Sequence, residues 1–180
     1  MDNQQERSLV DIGWMAGVWE SEGYFGIHLQ SNLFHPKYLY ANGMRLDPKC
    51  GFTNSDPEMI KALSNILSSN GLAFYVGKPR IHGFSNKKLH QDLIISGLKR
   101  GSRFINFILP FLKTKRDRAL LLQTYINYRL SKHKNYPYGI YDLYLYDELR
   151  KLNGNPPSKS SESIRQTLLK EKGEDVLRTE

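Results

Sequence analysis

Two carboxylates one residue apart, Glu20 and Glu22, are the first residues in this chain with an obvious chemistry. They lie in the run MAGVWESEGYF, residues 15–25, where Gly23 and an alternating stretch follow. Carboxylate oxygens are preferred ligands of hard cations such as Mg2+. The apolar residues before them, Leu9, Ile12, Trp14, Met15, Val18 and Trp19, have near-helical spacing, so both acids fall at a helix C-terminus. The helix dipole favours cations there, not acids. Such a pair is either an ordinary solvated pair, the commoner case, or a pair facing a metal ion; local spacing leaves both open. Gly13, Ala16 and Gly17 occupy neighbouring positions of the same helix. A glycine in a helix interior costs roughly 1 kcal/mol relative to alanine. Close approach of another backbone is the usual reason to find two.

Charge is the second clue. The chain has 180 residues, 26 Lys and Arg against 18 Asp and Glu, and a net charge of +8. Residues 78–118 carry eleven basic residues and only Asp92 and Asp117 as acids, so the whole excess sits in that segment. A concentrated basic stretch suits a polyanion such as DNA or RNA, although a solvated basic surface has the same composition. Cys50 is the single cysteine, which excludes an intrachain disulfide and a Cys-rich zinc site. No apolar run approaches the ~18 residues of a membrane span; residues 104–112 are broken by Asn106 and Pro110. The polar N-terminus lacks a signal-peptide pattern. A soluble intracellular protein with no membrane partner is expected, in a prokaryotic cytoplasm or an organelle.

The elements that must position these residues follow from periodicity. A helix is predicted over about 7–20, strands over 24–29 and 38–53, and a helix from Asp56-Pro57-Glu58 to Asn70-Gly71. Pro48 predicts an edge, a bend or a break in the second strand. Strand regions follow at 72–77, 80–84 and 91–96, with a basic turn at 86–88. Helices are expected over 102–109, 114–130, with Leu120, Leu121, Tyr125 and Ile126 inward, and 140–152. Residues 153–161 read as a linker and the remainder as a charged, partly frayed helix. The result is an α+β chain, αββαββα, whose antiparallel sheet is covered by helices on one face. Residues 1–152 form the core domain, and 153–180 the linker and C-terminal helical tail.

The run Met15-Ala16-Gly17-Val18-Trp19-Glu20-Ser21-Glu22-Gly23 resembles the LAGLIDADG signature of homing endonucleases. Residues 52–56 (FTNSD) resemble the strand-to-helix junction of that family. Residues 109–115 (LPFLKTK) resemble its proline-lysine segment, and residues 161–165 (SESIR) its C-terminal element. The resemblance implies a saddle-shaped sheet that sits on DNA. One motif implies a homodimer, with Gly13, Ala16, Gly17 and Glu20 at the interface and a near-palindromic target. It implies that Glu22 and the adjoining Ser21 bind Mg2+, with Ca2+ or Mn2+ able to substitute. It further implies that Asn54 orients the attacking water and that Lys115 lies near the scissile phosphate. A family position that is often basic falls at Glu58 here, with Arg116 and Arg103 as alternatives.

Target reading is expected from the exposed sheet face, because a two-stranded ribbon fits the major groove. The candidates are His28, Gln30, Asn32, Tyr38, Tyr40, Asn42 and Arg45 from the first hairpin. Lys78, Arg80, His82, Asn86, Lys87 and Lys88 come from the second. Tyrosines in strands are also ordinary packing residues.

Other motifs carry less. Gly139-Ile140-Tyr141 lacks the rest of a GIY-YIG nuclease signature. Asp147 to Lys151 alternates in charge and reads as a solvated helix face. No Walker-type loop is present. The expected function is therefore a sequence-specific double-strand DNA endonuclease of the homing, intron-encoded type, which hydrolyses phosphodiester bonds with a divalent metal. The alternative on the same fold is a non-cleaving nucleic-acid-binding protein. That would be an intron splicing maturase, with intron RNA as partner, or a DNA-binding regulator. The intact acids favour the enzyme.

Overall fold

The computed structural model describes residues 3–31, 44–81, 88–133, 136–156 and 158–172. In these, helix α1 (Asn3–Ser21) leads into strands β1 (Tyr24–Ser31) and β2 (Met44–Asn54) and helix α2 (Pro57–Ser69). Two short strands follow, β3 (Tyr75–Val76) and β4 (Arg80–Ile81), then β5 (Leu89–Ser96). Helices α3 (Leu98–Ile108), α4 (Arg116–Ser131), α5 (Ile140–Leu152) and α6 (Lys159–Lys172) complete the chain, with a 3-10 turn at Leu109–Phe111. The α+β architecture expected from periodicity is present: an antiparallel sheet ordered β1-β2-β5-β3, with β4 also on β5.

One face of the sheet is apolar and packed. Phe25, Ile27, Leu46, Cys50, Phe52, Leu93 and Ile95 alternate inward beneath α1 to α5. Burial on this scale contributes roughly 1.5–3 kcal/mol per large side chain. The opposite face keeps Tyr24, His28, Arg45, Lys49 and Thr53 at least partly exposed.

Several expectations shift. Pro48 does not break β2; it pairs with Ile27 of β1 in register. Its missing N–H falls on the β5 side, where the β2–β5 ladder has already ended at Lys49 and Ser96. Its carbonyl there accepts from Gly97 N–H at 3.2 Å. Helix α3 starts four residues early, at Leu98, after Gly97 turns the chain with φ of 91°. On α4 the buried stripe is Ala119, Leu122, Tyr125 and Ile126, whereas Leu120 is 41% exposed. Residues 38–43 of the second expected strand lie outside the described residues. Among the described residues no helix is long and apolar enough to cross a membrane.

The C-terminal segment forms α6 as far as Lys172 and docks as far as Leu168. Ile164 and Leu168 of α6 are buried. Asp147 of α5 accepts from Ser161 Oγ at 2.8 Å and Arg165 Nη2 at 2.7 Å. Asp147 therefore joins two helices and is not part of a solvated face. A second ion pair ties α4 to α5. Arg129 Nη1 lies 3.4 Å from the fully buried Asp142, and its guanidinium also donates to the Tyr136 and Pro137 carbonyls. Asp142 accepts the Gly139 N–H at 2.8 Å. Removing one member of a buried pair leaves the other charge uncompensated. Asp142→Ala is expected to lower the urea unfolding free energy by about 3 kcal/mol. A loss under about 1 kcal/mol would show that the pair is not structurally important.

Candidate active site at the end of helix α1

Helix α1 has two unlike faces. Ile12, Met15, Ala16 and Trp19 are buried in the core. Leu9, Val10, Gly13, Trp14 and Gly17 form an exposed stripe, with Val10 at 70%. A Cβ at Gly13 or Gly17 would meet nothing within 4 Å, so these glycines leave open surface. Ala16, expected beside them at a dimer interface, is only 2% exposed and packs into its own chain's core, because it falls on the inner edge of the stripe beside Ile12 and Trp19.

The stripe ends at the two acids, which part company. The Glu20 carboxylate turns back onto its own chain. Its Oε1 accepts the N–H of Lys113 at 2.7 Å and of Lys115 at 3.0 Å. Its Oε2 accepts the Thr114 N–H at 2.9 Å and hydroxyl at 2.7 Å. Burial raises the Glu20 pKa, but these hydrogen bonds, led by the Thr114 hydroxyl, outweigh it and hold the carboxyl at about 2. The lysine of that segment reciprocates. Lys115 Nζ donates to the carbonyls of Gly23 at 2.6 Å, Trp19 at 3.1 Å and Ser21 at 3.3 Å. Burial and the nearby Arg118 lower the Lys115 pKa, while Glu20 and Glu22 draw it up. Ser21 Oγ donates to the Val18 carbonyl at 2.9 Å, which leaves its carbonyl, shared with Lys115, as its oxygen for a further partner.

Gly23 has a specific reason to be glycine. A Cβ there would sit 2.5 Å from the Trp19 ring, which is completely buried. Gly23 stands just past the end of α1, and since its φ is not positive, side-chain space and not backbone freedom is what requires glycine there.

Glu22 is exposed, and its Oε2 accepts from Asn54 Nδ2 at 2.7 Å. Asn54 cannot turn its amide over without loss, because its Oδ1 accepts the Asp56 N–H at 2.8 Å. Asp56 in turn caps α2 by accepting from Glu58 N–H at 2.9 Å. The end of β2 thus aims an amide at Glu22. Glu58 makes only an exposed 3.8 Å pair with Lys61, and Arg116 Nη1 is held by the Leu109 carbonyl at 3.0 Å. Arg103 is exposed on α3. The donors at the α1 terminus, the Glu22 carboxylate and the Ser21 carbonyl, are all oxygens, which fits a hard divalent cation. Among the described residues of one chain no three His, Cys, Asp or Glu form a cluster.

The outer sheet face adjoins this end. The Tyr24 ring covers Gly51, where a Cβ would lie 2.4 Å from it. Burial pushes the Tyr24 phenol up to about 12. Arg45 pairs with Asp47 and Arg80 with Asp92, which also accepts from Thr53 Oγ1 at 2.7 Å. Burial, then Lys49, lower the His28 pKa against the pull of Asp47. Lys78 and Lys88 are exposed. An open hollow of about 970 Å³ runs along β1 between this face and the end of α5, where Arg150 and Asn155 line it. Of the other residues expected to contact a target, Gln30 lies in β1. Asn32, Tyr38, Tyr40, Asn42, His82, Asn86 and Lys87 lie outside the described residues. Lys49, Thr53 and Asp92 belong to the same face and were not singled out from sequence. Extending the period-2 pattern from Arg45 through β2 finds the first two.

The fold is that of the LAGLIDADG homing endonucleases. The chain superposes on the homing endonuclease I-CvuI, solved with its target in the presence of Ca, with a TM-score of 0.68 at 16% identity, covering 92% of this chain and 96% of that one. The archaeal intron-encoded homing endonuclease I-Vdi141I, solved with DNA, gives 0.66 at 18%, covering 89% and 96%. The LAGLIDADG homing endonuclease I-SmaMI, bound to cleaved DNA, gives 0.60 at 13%; here 88% of this chain matches 48% of that one. No protein-family model and no curated protein matches the chain.

The hydrogen bonds of Glu20 have a pH signature. Its folded pKa of about 2 lies below the ordinary 4.5, so the stabilisation is complete above pH 4.5 and is lost as pH falls towards 2. Glu20→Gln should cost ~1 kcal/mol at neutral pH, the lower range of a lost helix cap because water reaches the carboxylate. In urea unfolding at stepped pH the gap between the two proteins should close across that window. A gap independent of pH would refute the assignment.

Proposed function

We propose that this protein is a metal-dependent, sequence-specific DNA endonuclease that works as a homodimer on a long, near-palindromic target. The observation that carries the reading is the placement of Glu22. It stands exposed at the end of the open α1 stripe, beside the polar sheet face, with its carboxylate held by Asn54.

The apolar stripe with its two bare glycines suits a second copy of the same helix, since exposed apolar patches mark contact surfaces. Isologous pairing along it brings one Glu22 from each copy to the two-fold axis. The two Glu22 carboxylates and Ser21 carbonyls are the residues that would hold Mg2+. When bound, the cation polarises the phosphate and lowers the pKa of the attacking water. Asn54 fixes the Glu22 carboxylate through its Nδ2, while Asp56 fixes Asn54. The outer sheet faces of the two copies form the DNA-contacting surface. On it, Arg45 and Arg80, oriented by Asp47 and Asp92, suit base edges, and the exposed Lys78 and Lys88 suit phosphates. The solved structures that share the fold, I-CvuI and I-Vdi141I, are homing endonucleases bound to DNA, which supports this reading.

The test is cleavage selection on a randomised duplex library with Mg2+, comparing wild type with Glu22→Gln. The wild type should select a long, nearly symmetric site and cut it. The variant should lose at least about 100-fold in cutting rate while retaining most of its binding. Equal cutting by both proteins would remove Glu22 from the mechanism. Tight binding with no cutting by the wild type would favour a non-cleaving binder on this fold.

A further inference from the structure

We infer that Lys115 is a positioning residue, the internal counter-ion of the acidic end of α1, and that it allows two copies of that end to meet before any divalent cation binds. The inference rests on the homodimer proposed above and assigns Lys115 a task within it.

Helix α1 ends badly for its own dipole. Its last turn contains no basic residue, yet Glu20 lies there and Glu22 stands one residue past it. A helix C-terminus has a partial charge of roughly −0.5 and up to four unpaired carbonyls. Cations are what stabilise such an end, and here the cation comes from 92 residues further along the chain. The Lys115 ammonium donates to Trp19, Ser21 and Gly23, carbonyls on both sides of Glu22. An ammonium has three protons, and only the charged form can fill three acceptors. All three reach backbone carbonyls of the α1 terminus, so this lysine holds the helix end. Glu20 completes the exchange by accepting the three N–H groups of residues 113–115.

The consequence appears on pairing. Contact along the exposed stripe brings together two helix termini, each with the Glu22 carboxylate at its tip. Like charges repel more strongly as water is excluded between them. With Lys115 in place, each terminus brings a positive charge seated within its own last turn. Without it, the contact needs an external cation.

The experiment measures self-association of the full chain by analytical ultracentrifugation, in EDTA and in Ca2+. Wild type, Lys115→Met, Glu22→Gln and the double variant are compared. The wild-type dimer should be nearly indifferent to Ca2+. Lys115→Met should weaken the metal-free dimer by about tenfold or more, the upper range for a charge at a helix end. Ca2+ should restore it, and so should adding Glu22→Gln in EDTA. A Lys115→Met dimer as tight as wild type in EDTA overturns the inference. So does a weakened dimer that neither Ca2+ nor Glu22→Gln repairs, since that marks a purely structural lysine. A wild type that stays monomeric with and without DNA overturns the homodimer reading itself, and the inference with it. Should Lys115→Met fail to fold by circular dichroism, NMR of the lysine ammonium groups decides on the wild-type chain. A slowly exchanging Lys115 ammonium in EDTA is the expected result, and exchange as fast as that of exposed lysines is the contrary one.

Discussion

The exchange between Glu20 and Lys115 organises this molecule. Each segment has backbone groups to satisfy: carbonyls at the end of α1, of which that of Trp19 also takes the Gly23 N–H at 3.0 Å, and N–H groups in the segment that leads into α4. Each side supplies what the other lacks. Glu20 of α1 takes the N–H groups of 113–115, and Lys115 takes the carbonyls of 19, 21 and 23. Both halves join segments more than ninety residues apart. They fix the last turn of α1 against the helical layer, and the exit of the chain into β1 is fixed with it. The buried Trp19 ring beneath Gly23 closes the same turn from the core side.

That fixed turn matters because the neighbouring element is fixed independently. Strand β2 is central, paired to β1 on one side and β5 on the other, and its end carries Thr53 and Asn54. Thr53 is bound to Asp92 across the sheet, and Asn54 is oriented by the capped start of α2. The Asn54 amide therefore reaches Glu22 from a rigid base, as one oriented group meeting another. The paired Arg45 and Arg80 follow the same logic, each guanidinium anchored to a carboxylate of the sheet before any ligand arrives. Anchored side chains lose less conformational freedom on binding than free ones.

Local signals carried much of this into the sequence. Asp56-Pro57-Glu58 announced α2, and the structure uses Asp56 as its cap. The apolar period of α5 gave residues 140–152, the span observed. What escaped was set at a distance. Ala16 looked like a companion of Gly13 and Gly17, but the helix turns it inward to meet the sheet. Gly23 does stand just past the end of α1, but its need for a bare Cα comes from a ring four residues back. Asp147 looked solvated because its partners are the last residue of a stretch that read as a linker, Ser161, and Arg165 beyond it. Pro48 read as an edge, a bend or a break, and the choice among them could not be made because where the β5 ladder stops cannot be read from strand residues alone. The carbonyl grip of Lys115 has no local signature at all.

The division of labour between the two acids also follows from helix geometry. Residues two apart on an α-helix point about 200° from each other and do not share a face, and Glu22, one residue past α1, keeps the helical register through its N–H to the Val18 carbonyl at 3.0 Å. Glu20 and Glu22, however similar in sequence, were never able to form one two-carboxylate site within a chain. One must turn towards the protein and the other away from it. The inward one is spent on the chain's own N–H groups, which hold it ionised down to about pH 2. The outward one keeps a carboxylate oxygen for something outside the chain. The helix geometry thus excludes Glu20 as the second acid of a cation site at Glu22, which is why the homodimer proposed above supplies it from the other copy. The glycine stripe that leads to it, open along one side of the helix, leaves the room for that copy to approach.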